Sequence, residues 1–242
     1  MNGYRDDLAY IHDAGFSDYV LKAAPGLLQA LKRNGIARGL VIDLGCGSGR
    51  WARELNRAGY DVFGVDQSSA FIRLARRNAP QSKFAAASLR RMPLPACDAV
   101  TSIGECLNYS FDGNAGKAGL RRLFARVNRA LRSGGLFIFD VAEPQRVPER
   151  GSERRWLQGA DWAILVETRG DRTRNVLTRR ITSFRKLGKR YRRSEETHRL
   201  RLFESAEIGE LLRQTGFHQV ERFAAFGRFR LPVGITAFLG RK

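Results

Sequence analysis

The sequence predicts a doubly wound α/β fold, a mostly parallel sheet covered by helices on both faces. Three observations carry that expectation. Short, continuous apolar runs alternate with amphipathic segments from Leu40 to Asp140, as strands buried on both faces and their covering helices should. The run Val41-Ile42 ends in Asp43-Leu44-Gly45-Cys46-Gly47-Ser48-Gly49, where three glycines let the chain turn sharply from a strand into a helix and let a ligand lie against the backbone. Between 142 and 203 the rhythm changes to β-branched and aromatic residues interleaved with polar ones, which reads as an antiparallel sheet inserted on the main domain.

The elements follow in order. Residues 4–34 read as helical, with breaks expected at Ala14-Gly15 and Pro25-Gly26. Leu40–Leu44 is a strand, Ser48–Ala58 a helix, and Val62–Val65 a strand ending in Asp66. Ser68–Asn78 is helical, Phe84–Ala87 and Ala96–Ile103 are strands, and Lys117–Leu131 is an amphipathic helix. Ser133-Gly134-Gly135 turns into the apolar strand Leu136–Asp140. Trp162–Thr168, Val176–Phe184 and Tyr191–Leu202 are the strands of the insertion. Ala206–Gln214 is a helix, and His218–Ala225 with Gly234–Leu239 forms a closing strand pair. The expected division is a helical lid at 1–35, a ligand-binding domain at 36–141 and 204–242, and a covering sheet at 142–203.

Composition narrows the setting. With 242 residues, 43% of them hydrophobic, the chain can bury a full core. No apolar run approaches the roughly 20 residues of a membrane span, and no export signal is read at the start, so a cytoplasmic protein with no membrane partner is expected. Three cysteines (Cys46, Cys97, Cys106) lack metal-ligand spacing, which suits a reducing compartment and argues against a structural metal. The formal charge is +19, and residues 169–201 hold 13 Lys and Arg against 3 Asp and Glu, a net +10. That run is either a solvated basic surface or a face for a polyanion such as nucleic acid.

The glycine turn departs from the dinucleotide pattern G-x-G-x-x-G, because Arg50 occupies the place of its third glycine. Asp43 would repel a pyrophosphate and attract an ammonium-bearing ligand. Asp66, 19 residues after Gly47, stands where a carboxylate can accept both hydroxyls of a ribose. Ser88 and Leu89, after the third strand, are placed to meet an adenine edge and face.

Asp43–Gly49, Gly64-Val65-Asp66, Cys97–Ser102, Leu131–Gly135 and Thr215-Gly216-Phe217 together resemble the ordered motifs of class I S-adenosylmethionine-dependent methyltransferases, over about residues 38–140 and again near 204–240. The resemblance implies a Rossmann-like sheet of seven strands with the last antiparallel, and S-adenosylmethionine as cofactor. It places Asp43, Gly45, Cys46, Gly47, Gly49, Asp66, Gln67, Ser88, Leu89 and Gly104 around that cofactor. The loop Ile103–Tyr109 is similar to small-molecule members and departs from the Asn/Asp-Pro-Pro-aromatic motif of amino-directed DNA and RNA enzymes. A small-molecule acceptor, methylated on N or O, is therefore expected among Tyr10, Phe16, Glu105, Asn108 and Tyr109, with His12 and Glu105 the candidate bases. Three rivals are an RNA methyltransferase using the basic inserted sheet, a non-catalytic binding protein of the same fold, and a nicotinamide oxidoreductase, which Arg50 and Asp43 disfavour. The acceptor and the oligomeric state are not legible in the sequence.

Overall fold

In the computed structural model, which describes residues 3–111 and 116–242, the order of elements begins with two helices, α1 (Asp6–Gly15) and α2 (Asp18–Arg33). Residues 1 and 2 of the expected lid lie outside the described residues. The alternating core follows as β1 (Gly39–Leu44), α3 (Arg50–Arg57), β2 (Tyr60–Asp66), α4 (Ser69–Asn78), β3 (Lys83–Ala86), β4 (Cys97–Ser102), α5 (Lys117–Ala130) and β5 (Leu131–Ala142). Then come β6 (Ser152–Gln158), β7 (Trp162–Asp171), β8 (Val176–Leu187) and β9 (Arg190–Arg201). The chain closes with α6 (Ser205–Gln214), β10 (His218–Phe223), the short pair β11 (Ala225–Phe226) and β12 (Phe229–Arg230), and β13 (Ile235–Arg241).

Seven strands form one sheet in the order β10-β13-β5-β4-β1-β2-β3. β1 pairs in parallel with β2 and β4, while β13, the last strand, runs antiparallel to β5 and β10. The expected α/β architecture is therefore present. One face carries Leu123, Phe124, Val127, Phe137 and Phe139, and the other Leu27, Leu31, Trp51, Leu55 and Ile138, all buried. Two cores on opposite faces explain why the strands read as unbroken apolar runs. Among the described residues no helix is long and apolar enough to cross a membrane.

The separate antiparallel sheet has four strands in the order β6-β7-β8-β9, one more than the sequence suggested. β6 was missed because Ser152–Gln158 is almost entirely exposed, and burial of one face is what writes a period-two pattern into a strand. A second difference lies in α2, which runs through Pro25 without a break. Its packing explains why: Ala23, Ala24, Leu27 and Leu31 are buried, and tertiary burial overrides the local penalty of a proline. Gly26 serves contact rather than a turn, since a Cβ there would lie 2.2 Å from the Phe226 carbonyl carbon.

α1 lies against the inner side of the four-stranded sheet, with Ile11 packed on Trp162 and Ile164. Ion pairs hold it at both ends. Asp13 takes a two-pronged pair from Arg50 at 2.7 Å for each contact, and Asp7 one from Arg192 at 2.5 Å each, with Arg185 at 3.4 Å. Thus part of the basic run 169–201 is spent on inward structural pairs.

Candidate active site

The glycine turn is shaped by backbone demands. Gly45, Gly47 and Gly49 all have positive φ (81°, 51° and 76°), a conformation that L side chains rarely adopt. Gly45 N and Cys46 N donate to Val65 O at 2.7 and 3.1 Å, fastening the turn to the end of β2. A Cβ on Gly45 would strike Cys106 Sγ at 2.5 Å, and one on Gly49 the Ala75 backbone at 2.9 Å. Gly47 differs: nothing stands within 4 Å of its Cβ direction, and Gly104 across the cleft is the same. Both glycines line a cavity of about 180 Å³, so the missing side chains leave a cradle of bare backbone.

Two carboxylates face that cradle. Asp43 is buried and accepts from Thr101 Oγ1 at 2.9 Å; Thr101 in turn accepts from Trp51 Nε1 at 3.1 Å. Burial pushes its carboxyl up to about 7, against the Thr101 hydrogen bond and helped by the charge of Asp66. Asp66 accepts from Gly47 N at 3.0 Å and Ser68 N at 2.8 Å, yet burial still raises it to about 6. Two desolvated acids, with no cation paired to either among the described contacts, favour a ligand that brings positive charge and hydroxyl donors.

Of the expected cofactor residues, Asp43, Gly45, Cys46, Gly47, Asp66, Gln67, Leu89 and Gly104 line this cavity. Gly49 and Ser88 do not. Gly49 begins α3 and packs against Ala75 of α4; the Ser88 hydroxyl accepts from Arg90 N at 3.2 Å and holds the turn that presents Leu89 and Arg90. Both therefore support the cavity from behind. The Cys46 thiol is pushed far up by burial, which fits a filler rather than a nucleophile. Sequence reasoning missed Tyr4, Tyr19 and Cys106, which arrive from the N-terminal segment and the loop after β4 and carry no local signal.

A second cavity, of about 360 Å³, opens between the two sheets. Ile164, Val166, Leu177 and Ile181 of the four-stranded sheet form its apolar wall; Glu105, Arg146 and Arg179 supply charge. Tyr4, His12, Phe16, Tyr19, Gly104 and Tyr109 line both cavities and so mark their junction.

The expected acceptor residues divide there. Phe16, Glu105 and Tyr109 are on the second cavity, whereas Asn108 and Tyr10 are not. Asn108 is wholly buried and fully engaged: its amide donates to Ala142 O at 2.9 Å and Arg201 O at 2.6 Å, and its oxygen accepts from Ala142 N at 2.9 Å. It staples the loop to β5 and β9. The Tyr10 hydroxyl donates to Asp161 at 2.8 Å while Arg185 lies 3.7 Å over its ring, so it anchors α1 outside the cavity.

Of the two candidate bases His12 stands at the junction and Glu105 on the second cavity alone, and both are poorly tuned. Burial pushes His12 down to about 4, and its ring is enclosed by Tyr4, Phe16 and Phe71. Burial alone would raise Glu105, but Arg179 at 2.9 Å and Arg146 at 3.3 Å hold it below the usual carboxylate range. Its backbone sits at φ 60°, a cost tolerated where surrounding contacts fix it. Those contacts come from Asp140, whose carboxylate accepts from Gly104 N at 2.9 Å and Glu105 N at 2.6 Å.

Comparison with known proteins agrees with this geometry. Residues 41–135 match the family described as a methyltransferase domain. The Bacillus subtilis (strain 168) protein called "Putative methyltransferase YqeM" is 26% identical over 194 residues, 78% of this chain and 76% of that protein. Among solved structures, an S-adenosylmethionine-dependent methyltransferase from Clostridium acetobutylicum ATCC 824 superimposes with a TM-score of 0.82 at 19% identity, over 96% of each chain. The sugar N-methyltransferase KedS8 from Streptoalloteichus sp ATCC 53650 does so with a TM-score of 0.81 at 18% identity, over 100% of this chain and 95% of that one.

Proposed function

We propose, for a chain that carries a class I methyltransferase domain with S-adenosylmethionine as its cofactor, that it transfers a methyl group by in-line displacement to the N or O atom of a small-molecule acceptor held in the second cavity. The observation that carries this reading is the pair of cavities meeting at Tyr4, His12, Phe16, Tyr19, Gly104 and Tyr109, the outer one roofed by the four-stranded sheet. A roofed cavity suits a molecule that can be enclosed, whereas a nucleic-acid strand needs an open groove. The likeness to KedS8, a sugar N-methyltransferase, agrees with a small acceptor.

When bound, the cofactor supplies a methyl group already activated on a sulfonium. The chain has then to bind, align and exclude water. Asp43 and Asp66 would hold the methionine ammonium and the ribose, and Gly47 and Gly104 would let the ligand lie on bare backbone. Leu89 would pack on the adenine. Alignment at the junction is the main source of rate, up to roughly 7 to 11 kcal/mol. Glu105, kept ionised by Arg146 and Arg179, would orient the acceptor rather than take its proton. α1 and the N-terminal segment would act as the lid, since Tyr4, His12 and Phe16 close both cavities.

The test is a partition of label. The protein is incubated with methyl-labelled S-adenosylmethionine and, separately, with the low-mass fraction and the total RNA of a cell extract. Label is expected in the low-mass fraction; label in RNA instead would overturn the reading in favour of the basic outer face of the inserted sheet.

A further inference from the structure

Neither side chain read as a base is suited to the work, His12 being held neutral near 4 and Glu105 being locked between two arginines. Another pair of residues is. Asp140, near the end of β5, is wholly buried and accepts the Tyr19 hydroxyl at 2.8 Å. Tyr19 comes from α2 and lines both cavities, so it connects the junction to a carboxylate that itself lines neither. Its ring packs perpendicular to that of Phe229, with ring centroids 5.3 Å apart. The backbone amides of Gly104 and Glu105 already hold the loop to Asp140, so anchoring the loop does not require the Tyr19 hydroxyl.

We propose that Tyr19 and Asp140 form a proton relay, Tyr19 receiving the proton that the acceptor sheds and Asp140 storing it. The proposal rests on the reading above, in which methyl transfer takes place where the two cavities meet. The acceptor N–H or O–H bond breaks with its electron pair left on the acceptor. The proton joins Tyr19 Oη as the Tyr19 O–H bond breaks, and the displaced proton joins Asp140 Oδ2. Tyr19 stays neutral throughout, and Asp140 ends as a carboxylic acid whose proton goes back through Tyr19 Oη to water in the cleft once the product has left. The positive charge brought by the methyl group leaves the acceptor as that proton, so charge balances without a further reactant.

The electrostatics agree. Burial lifts Asp140 to about 6, close to the range in which a proton acceptor works best at neutral pH. The Tyr19 hydroxyl is raised by burial and by Asp140, so it passes protons without holding a charge. The titratable groups around Asp140 are Tyr19 from α2 and Glu105 and Cys106 from the loop after β4; β13 opposes it with Ala237. Among them Glu105 is ionised at neutral pH, and its charge helps keep Asp140 high.

Infrared titration of carboxyl groups in the S-adenosylhomocysteine-bound protein tests the coupling without an acceptor. Of the two carboxyls raised to about 6, Asp66 and Asp140, the Asp140 signal should vanish in Asp140→Asn and move to higher pH in Tyr19→Phe, because the carboxylate loses a donor, while the Asp66 signal stays in both. Turnover on the labelled low-mass fraction supplies the second readout. Tyr19→Phe should lower kcat about 10²-fold and erase the acidic limb of its pH profile, with affinity for S-adenosylhomocysteine unchanged. A titration unmoved by Tyr19→Phe, or a variant that keeps the parent kcat and pH profile, overturns the relay. Absence of any labelled small molecule instead overturns the acceptor reading, and the titration still decides whether Tyr19 and Asp140 are coupled. Tyr19→Phe also guards against misfolding of Asp140→Asn, since it leaves both backbone contacts to Asp140 in place.

Discussion

The two cavities of this cleft, the proposed cofactor side and the proposed acceptor side, are built by different means. The first is made of backbone and a few acids from one stretch of chain: Asp43 through Gly47, then Asp66 at the end of the next strand. The second gathers Glu105 from the loop after β4, Arg146 from the segment after β5, Arg179 from β8 and Leu8 from α1. Its charges are paired with one another, whereas the acids of the cofactor side have no paired cation among the described contacts. A site that waits for a cationic ligand leaves its carboxylates desolvated and raised; a site that orients a ligand locks its charges beforehand.

The largest expected effect breaks the comparison at Asp43. Asp43→Ala should weaken S-adenosylmethionine binding about 10³-fold, the loss typical of removing one partner from a buried charged contact. Calorimetry measures the affinity and a thermal melt checks the fold. The melt should be unchanged or higher, because the wild-type chain buries this acid at a cost. Unchanged affinity would remove Asp43 from the site.

The same contrast explains what could be read in advance. Gly45 and Gly47 were legible because only glycine adopts their φ cheaply, so residue type encodes geometry directly. Gly49 was legible as part of the turn but not as packing against Ala75, which depends on how α4 docks. Tyr19 and Asp140 were invisible: they meet at 2.8 Å across 121 residues, and neither stands in a motif. Asn108 misled because a polar residue in a functional loop reads alike whether it faces a ligand or staples β5 to β9. In the basic run, spacing gave the charge of Arg179, Arg185 and Arg192 but not their inward direction, since the strand alternation there is carried by arginines themselves.

On the acceptor side the next effect is one of stability. Arg179→Ala leaves Glu105 buried with only Arg146, and stranding a buried charge should cost about 3 kcal/mol in chemical denaturation. Affinity for S-adenosylhomocysteine should hold, because Arg179 does not line the cofactor cavity. Turnover should fall well beyond any loss explained by unfolded protein. The double variant Arg179→Ala with Glu105→Gln should recover part of the stability and none of the turnover. If the double variant is no more stable than Arg179→Ala, the pair is not the electrostatic unit described here.

The smallest effect is the most discriminating, since it separates the two sides by the sign of a pH dependence. Asp43 at about 7 and Asp66 at about 6 lie above the usual unfolded value, roughly 3.9. The folded chain therefore holds more protons than the unfolded one between those limits. Their contribution to stability, and that of Asp140 at about 6 behind Tyr19, is fully present below about pH 4 and is lost as pH rises through 6 to 7. The ligand-free protein should accordingly melt lower at pH 7.5 than at pH 5.5. Affinity should run the other way if, as proposed, an ionised Asp43 holds the ammonium of S-adenosylhomocysteine. A rise on the order of tenfold across the same interval is expected, and it should be flat in Asp43→Asn. Glu105, held low by its arginines, stays ionised throughout and adds nothing to either trend. Melting temperature and affinity that move in the same direction across this interval would mean that the two acids do not control the cofactor side.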